Sequence, residues 1–176
     1  MLLAIISDTH MPKGARALPP RCVELLGEAD LILHAGDLLR VEVLYELREH
    51  GELLAVHGNV DDADVRRELP AERIVELPGG ARIAMTHDAG PSQGRMRRMR
   101  LRFPGADALV FGHSHIPLHE TDPGSGFQLF NPGSPTERRR APRHTMGIAR
   151  VDGGRISFEH IALDPPGAPP QPAATP

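Results

Sequence analysis

The chain has 176 residues, a formal net charge of −3 and one cysteine, Cys22. That length suffices for one domain with a sizeable core, and the near-neutral balance argues against bulk binding to nucleic acid or an anionic membrane. A single cysteine excludes an intrachain disulfide framework, and no apolar run approaches membrane length, so a cytoplasmic protein is expected. With no tryptophan and one tyrosine, a stacking platform for single-stranded nucleic acid is hard to assemble. The ten histidines therefore call for an explanation.

Leu2 to Ile6 reads as a buried strand that ends at Ser7-Asp8-Thr9-His10. Pro19 and Pro20 open a helix through Cys22, Val23, Leu25 and Leu26. A second apolar strand, Leu31 to Leu33, leads into His34-Ala35-Gly36-Asp37. A helix then carries Val41, Val43, Leu44 and Leu47 and stops by Gly51. The third strand, Leu53 to Val56, leads into His57-Gly58-Asn59-Val60-Asp61. Strand, polar tip and helix, repeated, predict a parallel sheet with its chemistry at the carboxyl ends of the strands.

The pattern then changes. Arg73 to Leu77 and Ala81 to Met85 read as a hairpin whose second strand ends in Thr86-His87-Asp88. Ser92 to Arg102 reads as a short helix with a dense arginine face. The apolar run Ala108 to Phe111 is a buried strand leading into Gly112-His113-Ser114-His115. Two further hairpins follow, Leu118 to Thr121 with Phe127 to Phe130, and Thr145 to Val151 with Arg155 to Leu163, separated by the rigid turn Asn131-Pro132-Gly133-Ser134-Pro135. A parallel opening half and an antiparallel closing half predict an α/β fold: a four-layer sandwich of two packed mixed β-sheets flanked by helices. The domain spans 1–163, and 164–176, rich in proline and alanine, reads as a disordered tail.

The strand exits deliver Asp8, His10, Asp37, Asn59, His87, His113 and His115. Imidazoles, carboxylates and one amide oxygen are the donor set of a site for two borderline divalent ions such as Mn, Ni, Zn or Fe. Two such ions carry +4, the two aspartates lower this to +2 and a hydroxide to +1, which suits an anionic phosphate ester. Taken singly, Asp8 could cap a turn and Asn59 could be a turn residue. His34 is expected to hydrogen-bond beside the site, and Cys22 to face the core.

Asp-x-His, Gly-Asp, Gly-Asn, Thr-His and Gly-His-x-His, in that order, resemble the calcineurin-like metallophosphoesterase superfamily. The Asn-Pro-Gly-Ser turn resembles its short phosphodiesterase branch in bacteria and archaea. The resemblance implies one metal on Asp8, His10, Asp37 and His115, and a second on Asp37, Asn59, His87 and His113. Asp37, Asn59 and His87 would act in catalysis, with Asp37 and a hydroxide bridging the ions and that hydroxide attacking phosphorus in line.

Two positions depart from the pattern. Val60 stands where many members carry a proton-donating histidine, leaving Asp61 or His57 as weak substitutes. Thr86-His87-Asp88-Ala89 replaces Thr-His-Gly-His, so Asp88 could orient His87 or repel a dianionic monoester. Both favour a small-molecule phosphodiester as substrate. A non-catalytic protein-binding scaffold, as in the retromer vacuolar-sorting subunit that resembles this family, is the alternative. The arginines at 95, 97, 98, 100 and 102 are expected to form a solvated face, the alternative being a basic rim that attracts phosphate. One of Arg138, Arg139, Arg140 and Arg143, which follow the turn, could hold substrate phosphate. An edge strand among the later hairpins could pair subunits into a homo-oligomer.

Overall fold

The structure, a computed structural model, describes residues 1–164. The expected tail lies, from Pro165 onward, outside the described residues. Asp164 accepts hydrogen bonds at 2.9 Å from both the backbone amide and Nδ1 of His144.

Strands β1 (Leu2–Ile6), β2 (Leu31–His34) and β3 (Leu53–Ala55) pair in parallel, connected by helices α1 (Pro20–Glu28) and α2 (Val41–Arg48). Pro20 opens α1, where a missing N–H costs nothing. Helix α3 (Ala63–Glu68) follows, then the hairpin of β4 (Glu72–Glu76) and β5 (Arg82–Thr86), helix α4 (Arg95–Arg102) and β6 (Ala108–Val110). The chain closes with β7 (Leu118–Thr121), β8 (Gln128–Asn131), β9 (Thr145–Asp152) and β10 (Arg155–Ala162). Two five-stranded sheets result, ordered β10-β9-β1-β2-β3 and β4-β5-β6-β8-β7.

The alternation of side chains along each strand builds the layers. Leu3 and Ile5 face the second sheet and meet Ile83, Met85, Ala108, Val110 and Phe130. Their neighbours Ala4 and Ile6 face the other way, under Cys22, Leu26, Leu44, Leu47 and Val65 of the helices. On the far side of the second sheet, Ala84, Leu109 and Leu129 lie beneath Met99 and Phe103. Helices, sheet, sheet and helix make the expected four layers. Each large apolar side chain fully buried there stabilises by about 1.5–3 kcal/mol.

The partition into a parallel and an antiparallel half is less simple than the sequence suggested. The closing hairpin crosses back so that β9 lies antiparallel to β1, while β8 runs parallel to β6 in the other sheet. Helix α3 went unread; its signal is Asp62, whose Oδ1 accepts from the amides of Asp64 (3.1 Å) and Val65 (2.9 Å). The α4 arginines are less free than a solvated face implies. Arg95 donates to the Gly90 carbonyl and lies 5.1 Å over the Phe111 ring, Arg98 donates to the Pro91 carbonyl, and Arg100 and Arg102 pair with Asp122 and Glu72.

Candidate metal centre

The loops leaving β1, β2, β3, β5 and β6 meet at one edge of the sandwich and are stitched together by backbone bonds. The Asp8 amide donates to the Gly36 carbonyl (2.9 Å) and that of His10 to the Asp37 carbonyl (3.0 Å). Gly112 donates to the His87 carbonyl at 2.9 Å, and the His113 amide donates to both Asp8 oxygens at 3.1 Å. Asp8, His10, Asp37, His113 and His115 have positive φ, between 45° and 68°. Left-handed backbone costs an L-residue about 1–2 kcal/mol each, and such strain concentrates at functional sites. Two glycines make the close approach possible. A Cβ on Gly58 would collide with the Asp37 carboxylate, and one on Gly112 with Ser7 Oγ and Asp8.

The side chains so delivered form two clusters, Asp8 with His10 and His115, and Asp37 with His87 and His113, the donor atoms of each lying within 4.8 Å of one another. Asp37 joins them: its Oδ2 is 3.5 Å from His10 Nε2 and 3.2 Å from His87 Nε2, while its Oδ1 accepts from the Val60 amide. Asn59 Oδ1 completes the second cluster, 3.1 Å from His87 Nε2 and 3.0 Å from His113 Nδ1. All the residues expected at the site are therefore brought together.

Hydrogen bonds fix the imidazole tautomers. His87 Nδ1 donates to the Ala35 carbonyl at 2.8 Å and His115 Nδ1 to the Glu137 carbonyl, which leaves both Nε2 lone pairs aimed into the clusters. His115 Nε2 faces Asp8 Oδ1 at 3.2 Å. A lone pair and a carboxylate oxygen at that distance repel unless a proton or a metal cation lies between them. His10 Nε2 and His115 Nε2 are buried without a hydrogen-bond partner, and leaving such a group unsatisfied costs about 1–3 kcal/mol. The donor set thus fits divalent cations.

The charges agree. Burial alone would raise the Asp8 carboxyl, but His10 and His115 outweigh it and hold it well below the usual carboxylate range. Asp37 behaves likewise, burial being overcome by His87. For His87 burial acts downward, and Asp37 overcomes it to raise the imidazole. His34 is different: burial pushes it down to about 4. It accepts from the Gly36 amide through Nδ1 (3.1 Å), so its Nε2–H donates to Thr9 Oγ1 (3.2 Å), in the neighbouring role expected of it.

The residues offered as substitutes for Val60 do other things. Asp61 is 4% exposed, and its carboxylate accepts from the amides of Gly58 (2.6 Å), Leu39 (2.7 Å) and Asp37 (3.1 Å). His57 Nδ1 donates to the Gly58 carbonyl at 3.2 Å. Asp88 is exposed and accepts from the Gly90 amide; the partner that orients His87 is the Ala35 carbonyl instead. Sequence reasoning missed the reach of the segment after Asn131. Asn131 Nδ2 donates to the Gly112 carbonyl (2.8 Å), Ser134 Oγ to that of Asp8 (2.8 Å) and Thr136 Oγ1 to that of Thr9 (2.6 Å). The Glu137 carboxylate lies 3.9 Å from His10 Nδ1 and 3.3 Å from Arg16 Nη2. The Asn-Pro-Gly-Ser turn was the available signal.

Residues 1–154 match the model of the calcineurin-like phosphoesterase superfamily domain. A probable metallophosphoesterase of Methanothermobacter thermautotrophicus is 34% identical over 170 residues, covering 94% of this chain and 95% of that protein. Among solved structures, wild-type Vps29 of Entamoeba histolytica complexed with zinc superposes with a TM-score of 0.71 at 20% identity, over 93% of this chain and 100% of that one. A structure described as a novel archaeal phosphodiesterase gives 0.66 at 20% identity, over 92% and 100%. With its fold, its paired clusters and these matches, the chain belongs to the calcineurin-like phosphoesterase superfamily.

Proposed function

We propose that the protein is a dinuclear metal-dependent phosphodiesterase. The observation that carries this reading is the pair of clusters joined by Asp37, in which the buried Nε2 atoms of His10 and His115 lack any hydrogen-bond partner. Asp8, His10, Asp37 and His115 would hold one divalent cation, and Asp37, Asn59, His87 and His113 the other. Bound there, the cations supply an activated water and a Lewis-acid clamp for a phosphate ester. The chain's own groups hold and orient: the carbonyls of Ala35 and Glu137 fix the imidazole tautomers, and Asp61 fixes the backbone that carries Asp37 and Asn59.

Two features favour a diester. With two divalent cations and a hydroxide bound, the clusters would carry a modest positive balance, matched by a monoanion. Val60 is 44% exposed beside Asn59 and offers no proton to a departing oxygen, which suits an activated or nucleotide-like leaving group. The likeness to an archaeal phosphodiesterase supports the same class. A non-catalytic scaffold is the competing reading, prompted by the Vps29 neighbours; the intact donor set favours the enzyme. Among the described residues no helix is long and apolar enough to cross a membrane.

The test is hydrolysis of an activated aryl phosphodiester and its matching monoester with manganese, nickel, zinc or EDTA, beside Asp37→Ala. Metal-dependent diester cleavage abolished by EDTA and by the substitution is expected. Activity indifferent to either would overturn the metal mechanism, and equal cleavage of both esters the argument from Val60.

A further inference from the structure

The segment after Asn131 is fastened to the ligand loops through Ser134, Thr136 and Glu137. Arg139 follows, exposed and itself in left-handed backbone (φ 45°). Its Nη1 donates to the His113 carbonyl at 2.9 Å. That contact plants a guanidinium at the solvent-facing rim of the second cluster, where His113 Nδ1 lies 3.0 Å from Asn59 Oδ1. Several other arginines are neutralised, Arg16 by Glu137, Arg40 by Asp62, Arg100 by Asp122 and Arg102 by Glu72. No carboxylate among the described residues pairs with Arg139. A guanidinium carries five donors in a rigid fork suited to phosphate oxygens, and only one of the fork's ends is engaged by the carbonyl.

We propose that Arg139 is the residue that grips a non-bridging phosphate oxygen of the substrate. The assignment rests on the phosphoesterase reading of the site. It makes Arg139 a determinant of substrate binding more than of the chemical step. The His113 carbonyl fixes where the fork stands, so its cation is in place before substrate arrives.

The test uses the full 176-residue chain loaded with manganese, and inorganic phosphate as the probe, titrated by calorimetry so that no turnover is needed. Arg139→Ala is expected to weaken phosphate binding about ten- to a hundredfold, the loss of one charge-assisted contact. Manganese affinity should stay unchanged, and Arg139→Lys should recover part of the loss. With an activated diester, KM should rise more than kcat falls. Unchanged phosphate affinity in Arg139→Ala, no phosphate binding by the parent chain, or a loss matched by lost manganese would overturn the proposal. A parent chain that binds phosphate through Arg139 yet cleaves no ester would instead count against the enzymatic reading alone.

Discussion

Asp61→Asn separates two roles for one carboxylate. In the structure Asp61 is a brace: its oxygens accept the amides of Asp37, Leu39 and Gly58 at 3.1, 2.7 and 2.6 Å. A carboxamide keeps the shape but turns one end into a donor. Depending on which way it faces, one or two of the amides then meet an NH2 group and lose their acceptor. Hydrogen bonds to an ionised group are worth about 1.5–3 kcal/mol each, so the variant should be destabilised by about 2–6 kcal/mol. That is a large fraction of a typical domain's total stability of about 5–15 kcal/mol. Because the same amides carry Asp37 and the Gly58-Asn59 turn, manganese affinity should fall too. Urea denaturation with chelator present, and metal titration by calorimetry, measure the two effects. Among diesters with better and poorer leaving groups the rate loss should be uniform. A variant as stable as the parent, with full metal affinity and a rate loss that grows with leaving-group pKa, would refute the brace and make Asp61 the proton donor.

Manganese or zinc should raise the thermal midpoint of the parent chain in proportion to the logarithm of its concentration, and Asp37→Ala should largely remove that shift in differential scanning fluorimetry. Burial pushes the Cys22 thiol up to about 12; maleimide at pH 8 should leave the native protein unlabelled and react only after unfolding, as read by mass spectrometry. Phe130 is fully buried and stacks on Phe158 at 4.6 Å and His160 at 4.5 Å, so Phe130→Ala should cost about 3–5 kcal/mol in urea denaturation. His34, held down to about 4 against 6.5 unfolded, binds its proton more readily in the unfolded chain. Its contribution is therefore intact above pH 6.5 and is lost as pH falls towards 4, by up to about 3 kcal/mol. His34→Gln, measured without metal, should show a shallower decline across that window.

Much of this was legible because the strand-exit residues carry both the fold signal and the chemistry. An apolar run ending in Asp-x-His, Gly-Asp or Gly-His-x-His places a polar group at the one end of a parallel strand where ligands gather, so the donor set could be read without coordinates. Local patterns could not show which way the closing hairpin would go. Thr145 to Leu163 pairs as well with one sheet as with the other on periodicity alone. The crossing is set by contacts such as the Thr145 amide to the Ser134 carbonyl, which no spacing announces. Asp61 and Asp88 could not be assigned a role for a related reason. A carboxylate near a site can serve a proton, a metal or a backbone amide, and only the position of the amides decides. Helix α3 was missed because its six residues offer a single buried apolar position, Val65.

Each cluster draws on both sheets: Asp8 and His10 come from the end of β1 and His115 from β6, while Asp37 follows β2 and His87 and His113 follow β5 and β6. A cation seated there would work as a rivet through one edge of a two-leaf hinge, beside the bonds from His113 to Asp8 and from His87 to Ala35 that already cross it. Withdrawing the rivet would loosen that edge, while those bonds and the packing between the leaves keep them shut. Depletion of metal should thus cost the cell activity long before it costs the cell the protein, and resupply would restore function without refolding.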